Sequence, residues 1–339
     1  MPNERRHFAA RQLQSGFTLV ELLVAAALGL IVVLACVSGL IVARRGFNTV
    51  DATSQLRDNG RFAVDILQKI VGQTGYLAPT YAMATMASSV VVAGATAAPN
   101  FIEGFNNSVV DSATAPYASN GSRSTSTGLG CTASGDTACA NGSDVLVLRY
   151  QASESFNGST STDATMIDCN GVGQNTPPAS RSDLIVNIIH VQRGPDGEPA
   201  LMCSSNANIT NGTFLTQPLI QGVETFQVLY GVDAVTAGAA ATATQDSIID
   251  QYLRADQLVV PGNAAATQEN FRRVRSLRIG MVLRAAANSA QELGTPVMYA
   301  LGANYGKAAD VGSVLLGQND GRLRQAVTFV VYLHNFQDS

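Results

Sequence analysis

The N-terminal part of the chain contains SGFTLVEL at residues 15–22, where a polar leader meets a long apolar segment. Between Phe17 and Ala43 the only charged side chain is Glu21. An apolar segment of this length is a candidate for a membrane-spanning helix. An unpaired acid at the centre of such a helix costs about 2.5–3.5 kcal/mol on insertion scales, so Glu21 is expected to have a partner.

A cut after Gly16 would supply that partner. Phe17 would become the new N-terminus, and Glu21 would lie one helical turn, roughly 6 Å, further along the axis. If related helices pack side by side with a stagger of about one turn, the carboxylate of one helix faces the ammonium group of the next. The alternative is that Glu21 sits at headgroup depth in an ordinary membrane anchor.

These residues resemble the N-terminal cleavage and methylation motif of type IV pilins and pseudopilins. The resemblance implies that prepilin peptidase cuts after Gly16 and methylates the new N-terminus, Phe17. It also implies that Glu21 guides docking of the subunit into a helical filament. The leader is longer than in many major pilins, and the helix lacks the proline that many of them carry in its second half.

Two other targeting signals compete with this interpretation. Arg5-Arg6-His7-Phe8 is faintly similar to a twin-arginine signal, and Val33-Leu34-Ala35-Cys36 to a lipoprotein cleavage box. A lipidated cysteine is normally followed by a polar tether, whereas Val37 to Ala43 stays apolar. A signal-peptide core does not normally contain an acid such as Glu21, so both alternatives are disfavoured and Cys36 is expected to be an inert helix residue.

The charges of the leader predict the topology. Arg5, Arg6 and Arg11 favour a cytoplasmic N-terminus, which places everything after Arg45 outside. The chain therefore divides into a leader (1–16), a membrane or filament-core half-helix (17–43), an amphipathic half-helix (44–72) and an exported domain (73–339). Before assembly we expect a single-pass inner-membrane protein with a periplasmic domain, and after assembly a protein at the pilus tip or cell surface.

The amphipathic half is predicted from the spacing of its apolar residues. Leu56, Ala63, Leu67 and Ile70 recur at helical spacing, so the helix should continue to about residue 71. Phe62 is expected to pack in the core with this stripe. Gly46 is a position at which the helix can kink.

The exported domain is predicted to be rich in strands. Five runs of β-branched and aromatic residues are Val145–Tyr150, Leu184–Gln192, Val223–Tyr230, Val274–Leu283 and Ala326–Leu333. Alternation in the fourth run predicts one dry and one wet face, and the fifth run, apolar on both faces, suits a central strand. Gly194-Pro195-Asp196-Gly197 is typical of a hairpin turn. The region from Thr80 to Gly142 is expected to be loop and short strands. The fold class is therefore α+β: a long N-terminal helix followed by a mainly antiparallel sheet domain.

The four cysteines of the exported domain are Cys131, Cys139, Cys169 and Cys203, an even number that allows three pairings. In an oxidising periplasm we favour disulfides between Cys131 and Cys139 and between Cys169 and Cys203. Zinc is the competing interpretation, but the spacing is not that of a tight Cys-x-x-Cys site and no histidine lies near.

The composition and motifs exclude several classes of function. The net charge is −4, which argues against nucleic-acid binding. The histidines His7, His190 and His334 suggest no catalytic pair, and no nucleotide-binding loop, hydrolase elbow or zinc-protease motif is present. We therefore expect neither an enzyme nor a cofactor.

Three aspartates are candidates for a calcium site. Relatives often carry an Asp-rich turn that suits calcium, but here residues 234–244 are mainly Ala, Thr and Gly. Asp233, Asp246 and Asp250 remain, without the dense spacing of a calcium loop. We interpret them as turn and helix-cap residues and predict no metal.

Three internal stretches carry a second resemblance. QGVETFQVLYGVD (221–233), VRSLRIG (274–280) and TFVVYLHN (328–335) resemble minor pilins of the PilW family. The resemblance implies a type IV pilus minor pilin that helps prime assembly at the tip, with motility, adhesion or DNA uptake as consequences. The implied partners are prepilin peptidase, other minor pilins, the major pilin, the inner-membrane assembly platform and membrane lipid.

Two alternatives remain open from the sequence. A J-type pseudopilin of a type II secretion system shares the N-terminal chemistry, and its gene would lie beside secretion genes. A membrane-anchored adhesin or enzyme with a pilin-like signal would bind or turn over a ligand without its helix.

The N-terminal motif makes a direct prediction. Mass spectrometry of the protein from its native membrane should find a mature N-terminus at N-methylated Phe17, because the peptide bond after Gly16 is the expected cleavage site. Gly16→Ala should retain the full leader. An intact leader in the wild-type protein, or a start at a lipidated Cys36, would contradict the prediction.

Overall fold

The computed structural model describes residues 16–82, 100–108, 110, 140–194, 196–208, 213–290, 294–306 and 310–335. The helices are α1 (Leu19–Gln73), α2 (Pro79–Ala82) and α3 (Ala264–Arg272), with a 3₁₀ turn at Asp256–Leu258. The strands are β1 (Ile102–Phe105), β2 (Val145–Tyr150), β3 (Ile185–Arg193), β4 (Pro199–Asn208), β5 (Thr213–Gln221), β6 (Val223–Val232), β7 (Gln251–Leu253), β8 (Val274–Arg284), β9 (Val297–Tyr299), β10 (Val314–Leu316) and β11 (Arg324–Tyr332).

Helix α1 is 55 residues long, which corresponds to about 82 Å. It continues through Gly46 without a break in helical structure. Its second half buries one stripe, spaced three or four residues apart as expected for one helix face: Ala52, Leu56, Gly60, Ala63, Leu67, Ile70 and Val71. The amphipathic pattern therefore fixes which face of α1 meets the domain.

The domain consists of antiparallel sheets. The first is a five-stranded meander in the order β1-β2-β3-β4-β5, and the second is four-stranded in the order β11-β8-β6-β7. A short β9–β10 hairpin forms a third, two-stranded sheet. The predicted turn at 194–197 joins β3 to β4, and Gly197 has a φ of +77°, a conformation that glycine adopts without steric cost.

The main core lies between α1 and both larger sheets. Leu67 of α1, Leu146 of β2, Phe226 of β6 and Leu277 of β8 are all completely buried in one cluster. Tyr230 of β6 packs edge-to-face on Phe271 of α3, with ring centroids 5.7 Å apart. The core therefore joins the helix and the two sheets into one body.

The fourth predicted strand does not have a wet face. Gly280 and Val282 of β8 are buried, because the β9–β10 hairpin covers that side. Val282 packs with Ala300 and Leu315, and a Cβ on Gly280 would collide with the backbone oxygen of Ala300. The expectation was wrong because the covering residues are distant in sequence.

Two further expectations about packing were wrong. The fifth run forms β11, which is an edge strand and pairs only with β8 within the four-stranded sheet. Phe62 points away from the core and its side chain is 53% exposed. The apolar residues of β11 are half-buried because α1 and the β9–β10 hairpin lie against its two faces.

A disulfide joins Cys169, in the loop after β2, to Cys203 of β4. Their Cα atoms are 6.0 Å apart and both residues are fully buried. Cys36 is a free, exposed thiol on α1. Cys131 and Cys139, for which we expected a second disulfide, lie outside the described residues.

The Cys169–Cys203 disulfide should contribute to the stability of the domain. It closes a loop over a sequence separation of 34 residues, for which chain entropy gives about 3–4 kcal/mol. We expect the double variant Cys169→Ala/Cys203→Ala to unfold at a lower denaturant concentration, with its free energy of unfolding reduced by about that amount. An unchanged midpoint in oxidised wild type and variant would contradict this expectation.

Candidate assembly interface

The N-terminus of α1 is closed by a capping box that the sequence interpretation missed. The Thr18 hydroxyl accepts a hydrogen bond from the Glu21 backbone N–H at 3.3 Å, and Glu21 Oε2 accepts from the Thr18 N–H at 2.9 Å. The Thr18 hydroxyl also donates to the same oxygen at 3.0 Å. The Thr-x-x-Glu spacing is a known capping signal and could have been read from the sequence.

The capping box leaves part of the Glu21 carboxylate free. Both hydrogen bonds from Thr18 reach Oε2, and Oε1 has no partner among the described residues. Glu21 therefore has one oxygen committed to its own helix end and one oxygen available to a group from outside.

The predicted cleavage site lies outside the helix. Gly16 and Phe17 precede the helix cap, Phe17 is 88% exposed, and no atom lies within 4 Å of a Cβ added to Gly16. The Gly16–Phe17 peptide bond is thus free of helical hydrogen bonding. The three predicted site residues, Gly16, Phe17 and Glu21, are brought together within one turn of the α1 N-terminus.

The first half of α1 is apolar and exposed. Its large side chains are exposed, and those of Leu19, Leu30 and Leu34 are each about 70% exposed. By length and composition this part of α1 is suited to cross a membrane. Residues 19–45 are all exposed in the part of the chain that the structure describes, so their surface is available to lipid or to other helices.

The second half of α1 is fixed to the body by close contacts. Gly60 lies against β11, where an added Cβ would be 3.0 Å from Val327 Cγ2. Thr49 donates a hydrogen bond to the backbone oxygen of Ser289 at 2.9 Å. A glycine at position 60 therefore lets the helix approach the sheet closely.

The C-terminal end of α1 is held by backbone contacts from several segments. The Gln73 side chain donates to the Ile167 carbonyl and accepts from the Ile167 N–H, both at 3.0 Å. The Gly75 N–H donates to the Arg149 carbonyl at 3.0 Å, and Asn335 Nδ2 donates to the Thr74 carbonyl at 3.2 Å. These bonds anchor the helix end to β2 and to the segment after β11.

An ion network lies beside the middle of α1 and was not predicted from the sequence. Glu198, at the β3–β4 turn, accepts from Arg284 at 2.8 Å and from Arg322 at 2.7 Å. Glu224 of β6 accepts from Arg284 at 3.2 Å and from Arg324 at 2.6 Å. The network joins the turn of the five-stranded sheet to the strand ends of the four-stranded sheet.

The network also borders a cleft against α1. Glu198, Arg284 and Arg322 line it together with Gln55 and Leu56 of the helix. Burial alone would raise the pKa of the Glu198 carboxyl, but the two guanidinium groups outweigh it and hold that pKa below its ordinary value. Glu198 is therefore charged at neutral pH and contributes to the alignment of the two sheets beside the helix.

The remaining residues considered in the sequence have structural roles. Asp233 accepts hydrogen bonds from the N–H groups of Asp246 and Ser247, and Asp250 accepts from Ala234, so these acids stabilise turns. His190 is buried in β3 with Nε2 3.1 Å from Ser204 Oγ. Burial lowers the pKa of His190 to about 4, which keeps it neutral at physiological pH. Within the described ranges, no group of His, Cys, Asp and Glu side chains could hold a metal ion.

Two family models match parts of the chain. The family model for the type IV pilus-assembly protein W, PilW, matches residues 188–335, and the model for the prokaryotic N-terminal methylation motif matches residues 11–37. A solved type IV-like pilin from Thermus thermophilus is 17% identical, with a TM-score of 0.30, over 57% of this chain and 78% of that chain. No curated protein matches the chain in sequence.

A methylation motif on an exposed apolar helix that continues onto an antiparallel β-rich body defines a subunit of the type IV pilin class. Such proteins are structural subunits, not enzymes. Together with the PilW match over residues 188–335, these features support a PilW-like minor pilin of the type IV pilus. The predicted family and fold class are therefore confirmed.

The ion network predicts a specific dependence of stability on pH. Because the pKa of Glu198 is lowered in the folded protein, its contribution is present above the ordinary value of 4.5 and is lost as the pH falls through the folded pKa. Glu198→Gln should therefore be less stable at neutral pH, by about 1 kcal/mol for a half-exposed pair. The difference from wild type should shrink below pH 4.5.

Denaturant unfolding at a series of pH values measures this difference. Asp65→Asn is the matched control, because Asp65 is an exposed acid on α1 outside the network. If the difference in free energy of unfolding between wild type and Glu198→Gln stays constant from pH 7 to pH 3, the role of the charged Glu198 in the ion network is contradicted.

Proposed function

We propose that this minor pilin is a low-copy subunit that helps prime assembly of the type IV pilus and stays at the pilus tip. Prepilin peptidase cuts after Gly16 and methylates Phe17. Before assembly the first half of α1 crosses the inner membrane with its N-terminus in the cytoplasm and the body in the periplasm. After assembly that half-helix lies in the filament core.

The observation that carries the proposal is the division of α1 into two halves. One half is apolar and free on all sides, and the other is fixed along the body from Thr49 to Thr74. A helix that only anchored the protein would need no rigid connection to the body. Because α1 is continuous and its second half packs on the body, the position of the membrane segment determines the position of the body.

The chemistry of docking follows from the N-terminus of α1. Removal of the leader creates an ammonium group on Phe17, and a neighbouring subunit staggered by one turn brings its own ammonium group toward Glu21. The free Oε1 atom can accept that partner while Oε2 keeps the helix cap. One pair then replaces two unpaired charges in an apolar environment.

The size of the body favours the tip over the shaft. A domain of the length of residues 73–339 has a radius of gyration of about 18 Å, whereas packed helix axes are about 8–10 Å apart. Successive copies would crowd one another along a closely staggered shaft. At the tip nothing lies above the body, and its neighbours there are other minor pilins, with the major pilin and the inner-membrane platform below.

The role of Glu21 in assembly can be tested through the number of surface pili. Glu21→Gln keeps an oxygen for the helix cap but removes the charge, whereas Glu21→Ala removes both. Losing one partner of a buried ion pair costs about 3–5 kcal/mol. Cells with either variant should therefore carry more than tenfold fewer pili, and the pili that do form should have normal length. Electron microscopy of cells expressing each variant from the native locus measures number and length.

The same experiment separates priming from other roles. Asp65→Ala, on the exposed face of α1, is the matched control and should leave piliation unchanged. Immunogold label along the whole filament would contradict the tip position. Normal pili with a loss of secreted exoproteins would contradict the pilus assignment and indicate a secretion pseudopilin.

A further inference from the structure

Within the described residues, one long edge of the four-stranded sheet has no pairing strand. At the two ends of the β8–β11 pair, the Ala285 N–H donates to the Leu323 carbonyl and the Leu333 N–H donates to the Arg275 carbonyl, both at 2.9 Å. Along an antiparallel strand, the backbone N–H and C=O groups of successive residues point alternately to one side and to the other. The groups of the even-numbered residues of β11 therefore point away from β8. These are Ala326, Thr328, Val330 and Tyr332, and the described residues provide no strand on that side.

The other sheet edges are blunted in ways that prevent pairing. Strands β1 and β7 have only four and three residues. Strand β5 contains Pro218, which lacks an N–H donor, and its pairing with β4 is interrupted by two register shifts. Strand β11 has nine residues, no proline and no charge after Arg324. Soluble proteins normally protect such an edge, so an open one indicates a partner strand.

Exposed apolar side chains lie on the hairpin that covers one face of β11. The β9–β10 hairpin rests on the outer face of β11, where Thr328 Oγ1 donates to the Ala300 carbonyl at 2.7 Å. The opposite side of the hairpin exposes Val297, Tyr299 and Leu316, of which Leu316 is 69% exposed. An added strand with apolar residues at alternate positions could pair with β11, and those residues would lie on the sheet face that the hairpin partly covers.

The direction of β11 limits which chain can supply the strand. Thr49 lies near the start of β11 through Ser289, Gly60 lies against Val327, and Thr74 contacts Asn335. Helix α1 and strand β11 therefore run side by side in the same direction. An antiparallel β11 pair between two copies would orient their α1 helices in opposite directions, which two copies anchored in one membrane cannot adopt. A parallel β11 pair would keep the helices in one direction, but it has the less stable hydrogen-bond pattern and would need two copies of the low-copy subunit proposed above to be neighbours.

We propose that the open edge of β11 accepts an extended strand from a different chain of the pilus tip complex, by addition of a strand to the sheet. The proposal rests on the tip function proposed above. Backbone hydrogen bonds from Ala326, Thr328, Val330 and Tyr332 hold the added strand, and its alternate apolar side chains pack beside the hairpin. The subunit thus has a second assembly interface in addition to α1.

Hydrogen exchange tests the edge directly. The full-length protein in detergent should exchange the outward amides of β11 rapidly and the inward ones slowly. In the complex enriched from native membranes through an affinity tag, the outward amides should slow by tenfold or more. Rapid exchange of the outward amides in that complex overturns the proposal. If the outward amides are already protected in the purified protein in detergent, and that protection is lost when the protein is diluted, β11 pairs with a second copy of this chain and the proposal is also overturned.

Substitutions at the edge test its role in piliation. Val330→Pro removes an outward N–H without removing a bond to β8, and Val330→Ala is the matched control that keeps it. If the proline variant fails to fold, Tyr332→Lys replaces it in the experiment. This variant places a charge on the edge, and Tyr332→Phe is its control. We expect many fewer pili with Val330→Pro and Tyr332→Lys and normal numbers with the controls.

The outcomes separate the two proposals. Normal piliation by folded Val330→Pro and Tyr332→Lys, in cells whose pili still depend on Glu21, overturns the edge proposal and leaves the tip function intact. Piliation that does not depend on the protein at all overturns the tip function and with it the edge proposal.

Discussion

The contact between the second half of α1 and strand β11 is the constraint on which the rest of the molecule depends. Gly60 brings the helix within van der Waals distance of Val327, and the buried stripe from Ala52 to Val71 continues the contact into the shared core. Because this contact is close and continuous, the two sheets keep one orientation relative to the helix. The exposed first half of α1 can then determine where the whole body lies.

The N-terminal methylation motif could be read from sequence because it is local. Gly16, Phe17 and Glu21 lie within six consecutive residues, and their chemistry depends on neighbours that are adjacent in the chain. Strands β2, β3, β6, β8 and β11 were predicted within about two residues, because their β-branched residues form continuous runs. Strand β4 was missed, since its buried Ser204, Ser205 and Asn206 are ordered by pairing with β3 and β5 rather than by intrinsic preference.

The errors concern contacts between segments that are far apart in sequence. The second face of β8 is dry only because the β9–β10 hairpin covers Val282, and β11 is an edge because none of the described strands pairs with its outer side. The ion network joins Glu198 to Arg284 and Arg322, positions that no spacing rule brings together. Phe62 illustrates a different limit, because its position lies about 100° around the helix from Ala63 and so outside the buried stripe.

The common direction of α1 and β11 has a mechanical consequence. In the assembly proposed above, tension on the filament acts along α1, and the load enters the body through the side of α1 that contacts β11. Because the strand runs along the pulling direction, the hydrogen bonds between β11 and β8 are loaded together in shear rather than opened one after another from an end. The arrangement that positions the body in the filament is therefore also one in which the sheet resists being pulled apart.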